Sequence, residues 1–401
     1  MWKNRNIWIL MLGEGIAGLG MWVGIIGNLE FLQQHVPSDF MKSLILLSGL
    51  FVGVLFGPMA GKVIDKYSKK TVMIYAGILR ALAVFFMFAA IQQQSIAWMI
   101  VYMLGIGVSA AFYFPALQSS LPLIAKDNEL LALNGLHMNV GTIARIAGTA
   151  VGGMMLVSFS LFSVYMWTFV SYVLILGCTF LLRIDESKDT SNVKPFKKGG
   201  SFTEVWPIIR HTPAVLLGLV LMLVPIGFLG SFNLMVLKIS ELQHNVAIKG
   251  WLYTAEGVAF MCGAFMIKKI SGKTNIGLSL LISAFGISLS HLSLFFADHP
   301  VPSIISFAIF GFAAGTFFPL MATLFQRQVP KEYHGRFFSF RNMMDRLLFQ
   351  AVLVSTGFFL DTIGFHYMVL VFGSFSLLLT LLMSIHQIRR PTSFEQKKAV
   401  G

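Results

Sequence analysis

The sequence predicts an all-α integral membrane protein of twelve transmembrane helices in two six-helix halves. Composition, a succession of long apolar runs and an internal repeat predict it. Of 401 residues, 56% are hydrophobic and only 12% charged, and the mean hydropathy is +0.77. Such a chain has too few polar side chains to cover a water-facing surface. A bilayer-spanning helix needs roughly 20 apolar residues. Runs of this kind occur at 7–31, 43–62, 71–91, 95–116, 131–157, 161–183, 213–238, 250–268, 275–297, 301–326, 337–360 and 364–386. The first is longer than a signal-peptide core and lacks a small-residue cleavage site, so it is expected to stay as a helix.

One long polar break, 184–212, separates the six spans of 1–183 from the six of 213–401. It is charged, contains Gly and Ser, and shows no helical apolar periodicity. The halves repeat. GVSAAFYFPA at 107–116 aligns with GFAAGTFFPL at 311–320, an offset of 204 that superposes Gly107 on Gly311 and Pro115 on Pro319. Glu129 then precedes Asn134-Gly135 as Glu332 precedes His334-Gly335. Six spans between equivalents give both halves one membrane orientation, which is a parallel repeat about an axis along the membrane normal.

The net charge of +13 raises the question of a polyanionic partner, and its distribution answers it. With both termini cytoplasmic, 23 Lys/Arg fall inside, three outside (Lys42, Lys238 and Lys249) and four within spans. This is the positive-inside pattern. The basic residues orient the chain in a plasma membrane near anionic lipid, and no nucleic-acid partner is expected. Cys178 and Cys262 lie in spans without a Cys or His at ligand spacing, so neither a disulfide framework nor a metal site is expected.

Between spans 2 and 3 stands GKVIDKYSKK, with Gly61, Asp65, Lys66, Lys69 and Lys70. It resembles the cytoplasmic signature G-x-x-x-D-[RK]-x-G-[RK]-[RK] of the major facilitator superfamily, with Ser68 in place of a Gly. The corresponding second-half loop keeps Gly272-Lys273 but has Lys269 where Asp65 would fall. FYFPALQSSLP followed by NGLHMNVGTIARIAGTAVGG, and HGRFFSF before span 11, resemble the branch of that family containing macrolide-efflux proteins and siderophore exporters. The resemblance implies the major facilitator fold and a cytoplasmic gate, in which Asp65 meets the helix N-terminus near Gly335-Arg336, where exposed N–H groups favour an anion. Topology alone is the competing reading of this loop. In span 5, Ala144, Gly148, Gly152 and Gly153 resemble the G-x-x-x-G-P-x-x-G-G pattern of facilitator-type exporters, with Thr149 replacing Pro and Ala144 the first Gly. Close helix packing by small residues is an equal alternative.

Ionisable groups at membrane depth are functional candidates. Seven are expected there: Glu14, Arg80, Arg145, Glu256, Arg341, Asp345 and Arg346. By the resemblance, all but Arg80 lie on cavity-lining spans, and Arg80 is expected in a structural or snorkelling contact. An acid among apolar side chains suits proton uptake and release, so Glu14, Glu256 and Asp345 are the coupling candidates. Glu14 ranks first because MLGEGIAGLGMW places no cation within a turn of it. Asp345, four residues from Arg341 and beside Arg346, reads more readily as an ion pair. The Gly135/Gly335 register sets Arg145 opposite Asp345 in the repeat, so Arg145, Arg341 and Arg346 are the expected charge partners. His137, His291 and His366 are isolated in sequence and read as interfacial or hydrogen-bonded. Trp22, Phe112, Tyr113, Phe317 and Phe318 are the aromatics expected nearest substrate.

The expectation is a secondary transporter, probed first as a proton-coupled exporter of amphipathic organic molecules. Nutrient import and lipid translocation stay open, as does sodium in place of the proton. A membrane transferase would show clustered His, Asp and Glu at one face, and ATP-driven transport a phosphate-binding Gly loop; neither pattern is present. The chain is expected to be a monomer and no enzyme, to need no cofactor beyond a proton gradient, and to have the bilayer and a small molecule as partners.

Overall fold

A computed structural model describes residues 4–124, 129–184, 205–270, 275–330 and 333–389. Every helix and strand assignment among them is helical: α1 (Arg5–His35), α2 (Asp39–Lys66), α3 (Lys69–Gln93), α4 (Ile96–Ile124), α5 (Leu130–Ser158), α6 (Leu161–Leu181), α7 (Val205–His211), α8 (Pro213–Leu221), α9 (Leu223–Leu242), α10 (Ile248–Ile270), α11 (Ile276–Ser293), α12 (Pro300–Gln328), α13 (His334–Thr362) and α14 (Gly364–Arg389). Twelve spans among them are long and apolar enough to cross a membrane.

Local chemistry sets the ends. Ser38, Ser68, Ser160 and Asn275 accept hydrogen bonds from backbone N–H groups in the first turns of α2, α3, α6 and α11, satisfying donors that a helix start leaves orphaned. Ser68, where the family signature has Gly, is therefore a helix cap. The seventh span is two helices, α8 and α9, joined at Met222. Pro225 explains the join: it has no N–H to donate, and its ring crowds the carbonyl four residues earlier, that of Leu221. The predicted 184–212 break contains one helical turn pair, α7, whose VWPIIRH is too short to show the periodicity sought in the sequence.

The chain forms two compact units. The first is Met1–Asn192 with Val246–Thr254; the second is Val193–Asn245 with Ala255–Gly401. The expected halves divided at 184–212, and the difference is that the start of α10 belongs with the first unit. In that unit α1 packs on α5 and α6, and α4 on α2 and α3; in the second, α11 packs on α12 and α14, and α9 on α13.

Both units bring helices together at the same repeat position. A Cβ on Gly107 of α4 would stand 2.6 Å from the Gly49 carbonyl oxygen of α2, and one on Gly311 of α12 would overlap the Glu256 carbonyl oxygen of α10. Glycine there lets two backbones touch. The repeat extends to the surface. A crevice of about 420 Å3 lies on α2, α3 and α4, and one of about 900 Å3 on α10, α11 and α12. Val63/Ile267, Tyr75/Ser279, Leu79/Ser283, Val108/Phe312, Ser109/Ala313 and Phe112/Thr316 line the two at the same offset of 204.

Candidate functional site

The polar interior of the first unit is built where α1, α3, α4, α5 and α6 meet. Small residues make it possible. Gly18 faces the Ala144 Cβ, Gly148 faces the Leu19 backbone and Trp22 Cβ, and Gly152 faces Val23 and Ile26, so α5 lies close against α1. On its other side α1 sets Gly13 against Cys178 and Gly24 against Thr168 of α6. Glu14, between these seams, reaches α4 and α5 together. The Tyr113 hydroxyl donates to Glu14 Oε1 at 2.6 Å, and His137 Nε2 lies 3.9 Å from Glu14 Oε2. The Glu14 side chain keeps 12% of its surface exposed and His137 26%. The carboxylate thus has a fixed phenol donor on one oxygen and a titratable imidazole near the other.

Behind this pair lies Arg80. Its guanidinium carbon stands 4.5 Å from the Tyr113 ring centre, 5.4 Å from that of Tyr172 and 5.9 Å from that of Phe114, and the residue is buried. A desolvated guanidinium facing aromatic rings is stabilised by their quadrupoles. Of the two expected roles, structural or snorkelling, the contact is the structural one, an aromatic cage, because α3 packs Arg80 inward against α4 and α6. Tyr113 therefore joins the cation on its ring face to the acid at its hydroxyl. Further along α1, Tyr165 donates to Asn28 Oδ1 at 2.5 Å.

A second charged group sits at the opposite end of α1. Lys249 Nζ binds Glu30 Oε2 at 2.5 Å, Gln34 Nε2 donates to Glu30 Oε1 at 2.7 Å, and Lys249 is completely buried. Around it, a Cβ on Gly153 would meet the Gly250 Cα at 2.8 Å, and the Trp22 and Tyr253 rings meet edge-on at 6.1 Å. These contacts place the start of α10 in the first unit. Sequence reasoning counted Lys249 among loop lysines and left Glu30 out of the buried acids. The signal was available: Glu30 stands inside an apolar run, IIGNLEFL, where an acid needs a partner. The other two lysines of that group are also paired, Lys42 with Asp39 at 2.8 Å and Lys238 with Glu241 at 2.9 Å.

The remaining candidates are dispersed. Gly61 has open space around it, Lys66 Nζ lies 5.4 Å over the Tyr67 ring, and Lys69 is half-buried. Lys70 donates to the Phe180 and Leu182 carbonyls at 2.9 and 2.7 Å, closing the carbonyl end of α6 as cations do at helix C-termini. The Asp65 and Arg336 side chains, which the gate reading joins, lie outside the described residues, as do Gly272 and Lys273. In the second unit, Arg341 Nε is 3.3 Å from Asp345 Oδ2 and its guanidinium packs over Phe325 at 5.1 Å. Arg346 is exposed, Arg145 half-buried and Glu256 buried. Phe112 lines the first unit's crevice, Phe317 is fully buried, and Phe318 meets it edge-on at 5.9 Å. His366 binds Asp298 at 3.2 Å, so two of the three sequence-isolated histidines have acid partners in space. Among the described residues no group of three or more His, Cys, Asp or Glu could hold a metal ion.

Twelve membrane helices in two repeat-related units, with ionisable groups inside them, make a membrane transporter. The profile of the Major Facilitator Superfamily matches residues 10–352, and the chain belongs to that family. It is 24% identical over 399 residues to the uncharacterized MFS-type transporter YfiS of Bacillus subtilis, covering 96% of this chain and 93% of that one. It is 23% identical to macrolide efflux protein A of Streptococcus pyogenes, covering 97% and 98% of the two chains. The crystal structure of the nucleoside transporter NupG superposes with a TM-score of 0.74 at 14% identity, over 95% of this chain and 98% of that one; at that identity the likeness is one of fold.

Proposed function

We propose that the chain is a secondary active transporter that exports amphipathic organic molecules in exchange for protons by alternating access. Glu14 carries the proton in this reading. The observation behind it is the Glu14–Tyr113–His137 arrangement, an acid in a largely buried site held by one hydrogen bond and facing one titratable base. Protonation of Glu14 removes the charge that favours the short Tyr113 hydrogen bond, so proton uptake and local geometry are coupled. Export is favoured by the similarity to macrolide efflux protein A and by the span 5 sequence Ala144, Gly148, Gly152 and Gly153. The bilayer is the protein's solvent, a plasma membrane with both termini inside.

The test is proteoliposome transport of a panel of amphipathic compounds under an imposed pH gradient, with wild type and Glu14→Gln. Gradient-driven flux in wild type and none in Glu14→Gln is expected. Flux that survives the substitution rejects Glu14 as the carrier, and flux driven by a sodium gradient alone rejects the proton. Accumulation in cells overproducing the protein sets direction: lower content supports export, higher content makes it an importer.

A further inference from the structure

The crevice on α2, α3 and α4 is apolar along its length. Met59 and Val63 of α2, with Tyr67 just past its end, form one wall, facing Leu79 of α3 and Val108 of α4. Of its hydroxyl-bearing residues, Tyr67, Thr71 and Tyr75 are exposed, and the buried one, Ser109, already donates to the Ala76 carbonyl at 2.7 Å. In the buried part a polar solute would find no free partner, whereas a hydrocarbon chain needs none. The crevice runs from the α2–α3 loop, where Tyr67 and Thr71 line it, to Met59 and Leu79. That is eight residues along each helix, or roughly 12 Å, most of one leaflet's hydrocarbon thickness of about 15 Å.

The loop end differs in character. Tyr67 is largely exposed, as interfacial aromatics are. Lys66 extends over the Tyr67 ring, which puts an ammonium at the mouth of the crevice. Lys62 is exposed one turn earlier, so both lysines border the Met59–Val63–Tyr67 wall. Lys70 is committed to the end of α6 and leaves these two for an outside anion. Apolar length, aromatic rim and cationic mouth follow one another in the order of a phospholipid's parts.

We infer that this crevice binds one anionic phospholipid of the leaflet facing the 66–70 loop, with an acyl chain along Val63, Leu79 and Val108 and the phosphate at Lys62 and Lys66. The inference is independent of what the protein transports. A basic residue near a membrane surface favours anionic lipid by about five-fold.

The test uses the full chain in nanodiscs of equal parts phosphatidylglycerol and phosphatidylcholine, with retained lipid counted by native mass spectrometry after detergent release. Wild type is expected to keep one phosphatidylglycerol at least five-fold over phosphatidylcholine. The surface variant Lys62→Gln/Lys66→Gln, which leaves the buried packing in place, should bring the ratio close to one. Val108→Trp, which fills the crevice, should remove the retained lipid of either kind. Equal retention of the two lipids by wild type overturns the proposal, and so does a preference that survives the double lysine variant. If Val108→Trp elutes as a folded monomer and keeps its lipid, the acyl site lies elsewhere and the proposal is equally overturned.

Discussion

The two units share a framework and differ in what they bury. Gly107 and Gly311 hold equivalent helix pairs together, and the crevices beside them are lined at equivalent positions. Inside, the first unit buries charge: Arg80 in its aromatic cage, Glu14 on Tyr113 and Glu30 on Lys249. The second, among its described residues, buries one acid, Glu256, and a larger cluster of rings. Phe228 stacks on Phe310 at 3.8 Å and meets Phe307 edge-on at 5.4 Å, with Phe232 beside them. The framework was set by backbone approach, which tolerates no side chain, while the interior was free to diverge once each buried group had a partner. The proposal that coupling resides in the first unit rests on that divergence.

The largest effect expected from this contrast is on transport. Glu14→Gln should reduce pH-gradient-driven flux to background, whereas Asp345→Asn, whose carboxylate is already paired with Arg341 at 3.3 Å, should leave measurable flux. Initial rates in proteoliposomes check it. Equal loss in the two variants would end the assignment of coupling to the first unit.

Stability sharpens the same contrast. Lys249→Met leaves Glu30 buried without its cation and should cost about 3–5 kcal/mol. The double variant Glu30→Leu/Lys249→Met should recover most of that, since two apolar side chains remove the uncompensated charge. In the second unit, Arg341→Met should cost about 1 kcal/mol or less, because Asp345 is about a quarter exposed. Denaturant unfolding in detergent measures all three. A smaller third effect probes the framework: Gly311→Ala and Gly107→Ala should each cost about 1–3 kcal/mol by overpacking. Gly311 is expected at the upper end, because its Cβ would overlap a carbonyl oxygen outright.

Much of the framework was legible in the sequence because membrane helices announce themselves by length and hydropathy, and the 204 offset by GVSAAFYFPA and GFAAGTFFPL. The site was legible only residue by residue. Glu14 stood out because α1 offers it no cation, yet its actual partners, Tyr113 and His137, come from α4 and α5, about 100 and 123 positions away in sequence. Helix periodicity along one run says nothing of which helix packs beside it. The structural contact expected of Arg80 could not be given its partners for the same reason, since its cage is assembled from α4 and α6. Lys249 was placed outside the membrane because it precedes the expected span 250–268 by one residue, and the close approach of Gly250 to Gly153 accompanies its burial.

The smallest expected effect concerns His291, which separates a buried polar group that is used from one that is merely enclosed. It is fully buried on α11, and neither ring nitrogen finds a hydrogen-bond partner among the described residues. Its ring meets Phe228 at 5.1 Å and Phe372 at 6.0 Å, both edge-on, so its surroundings ask for an apolar side chain. Replacing an unsatisfied polar group by an apolar one of similar volume removes a desolvation penalty of about 1–3 kcal/mol and returns little of it as lost packing. His291→Leu should therefore leave the melting temperature unchanged or raise it by a few degrees, with transport intact. In the first unit the matching experiment, Tyr113→Phe, removes a hydroxyl that Glu14 uses, and should lower both melting temperature and coupled flux. A destabilised His291→Leu would place a working polar group inside the aromatic core and erase the distinction between the two interiors.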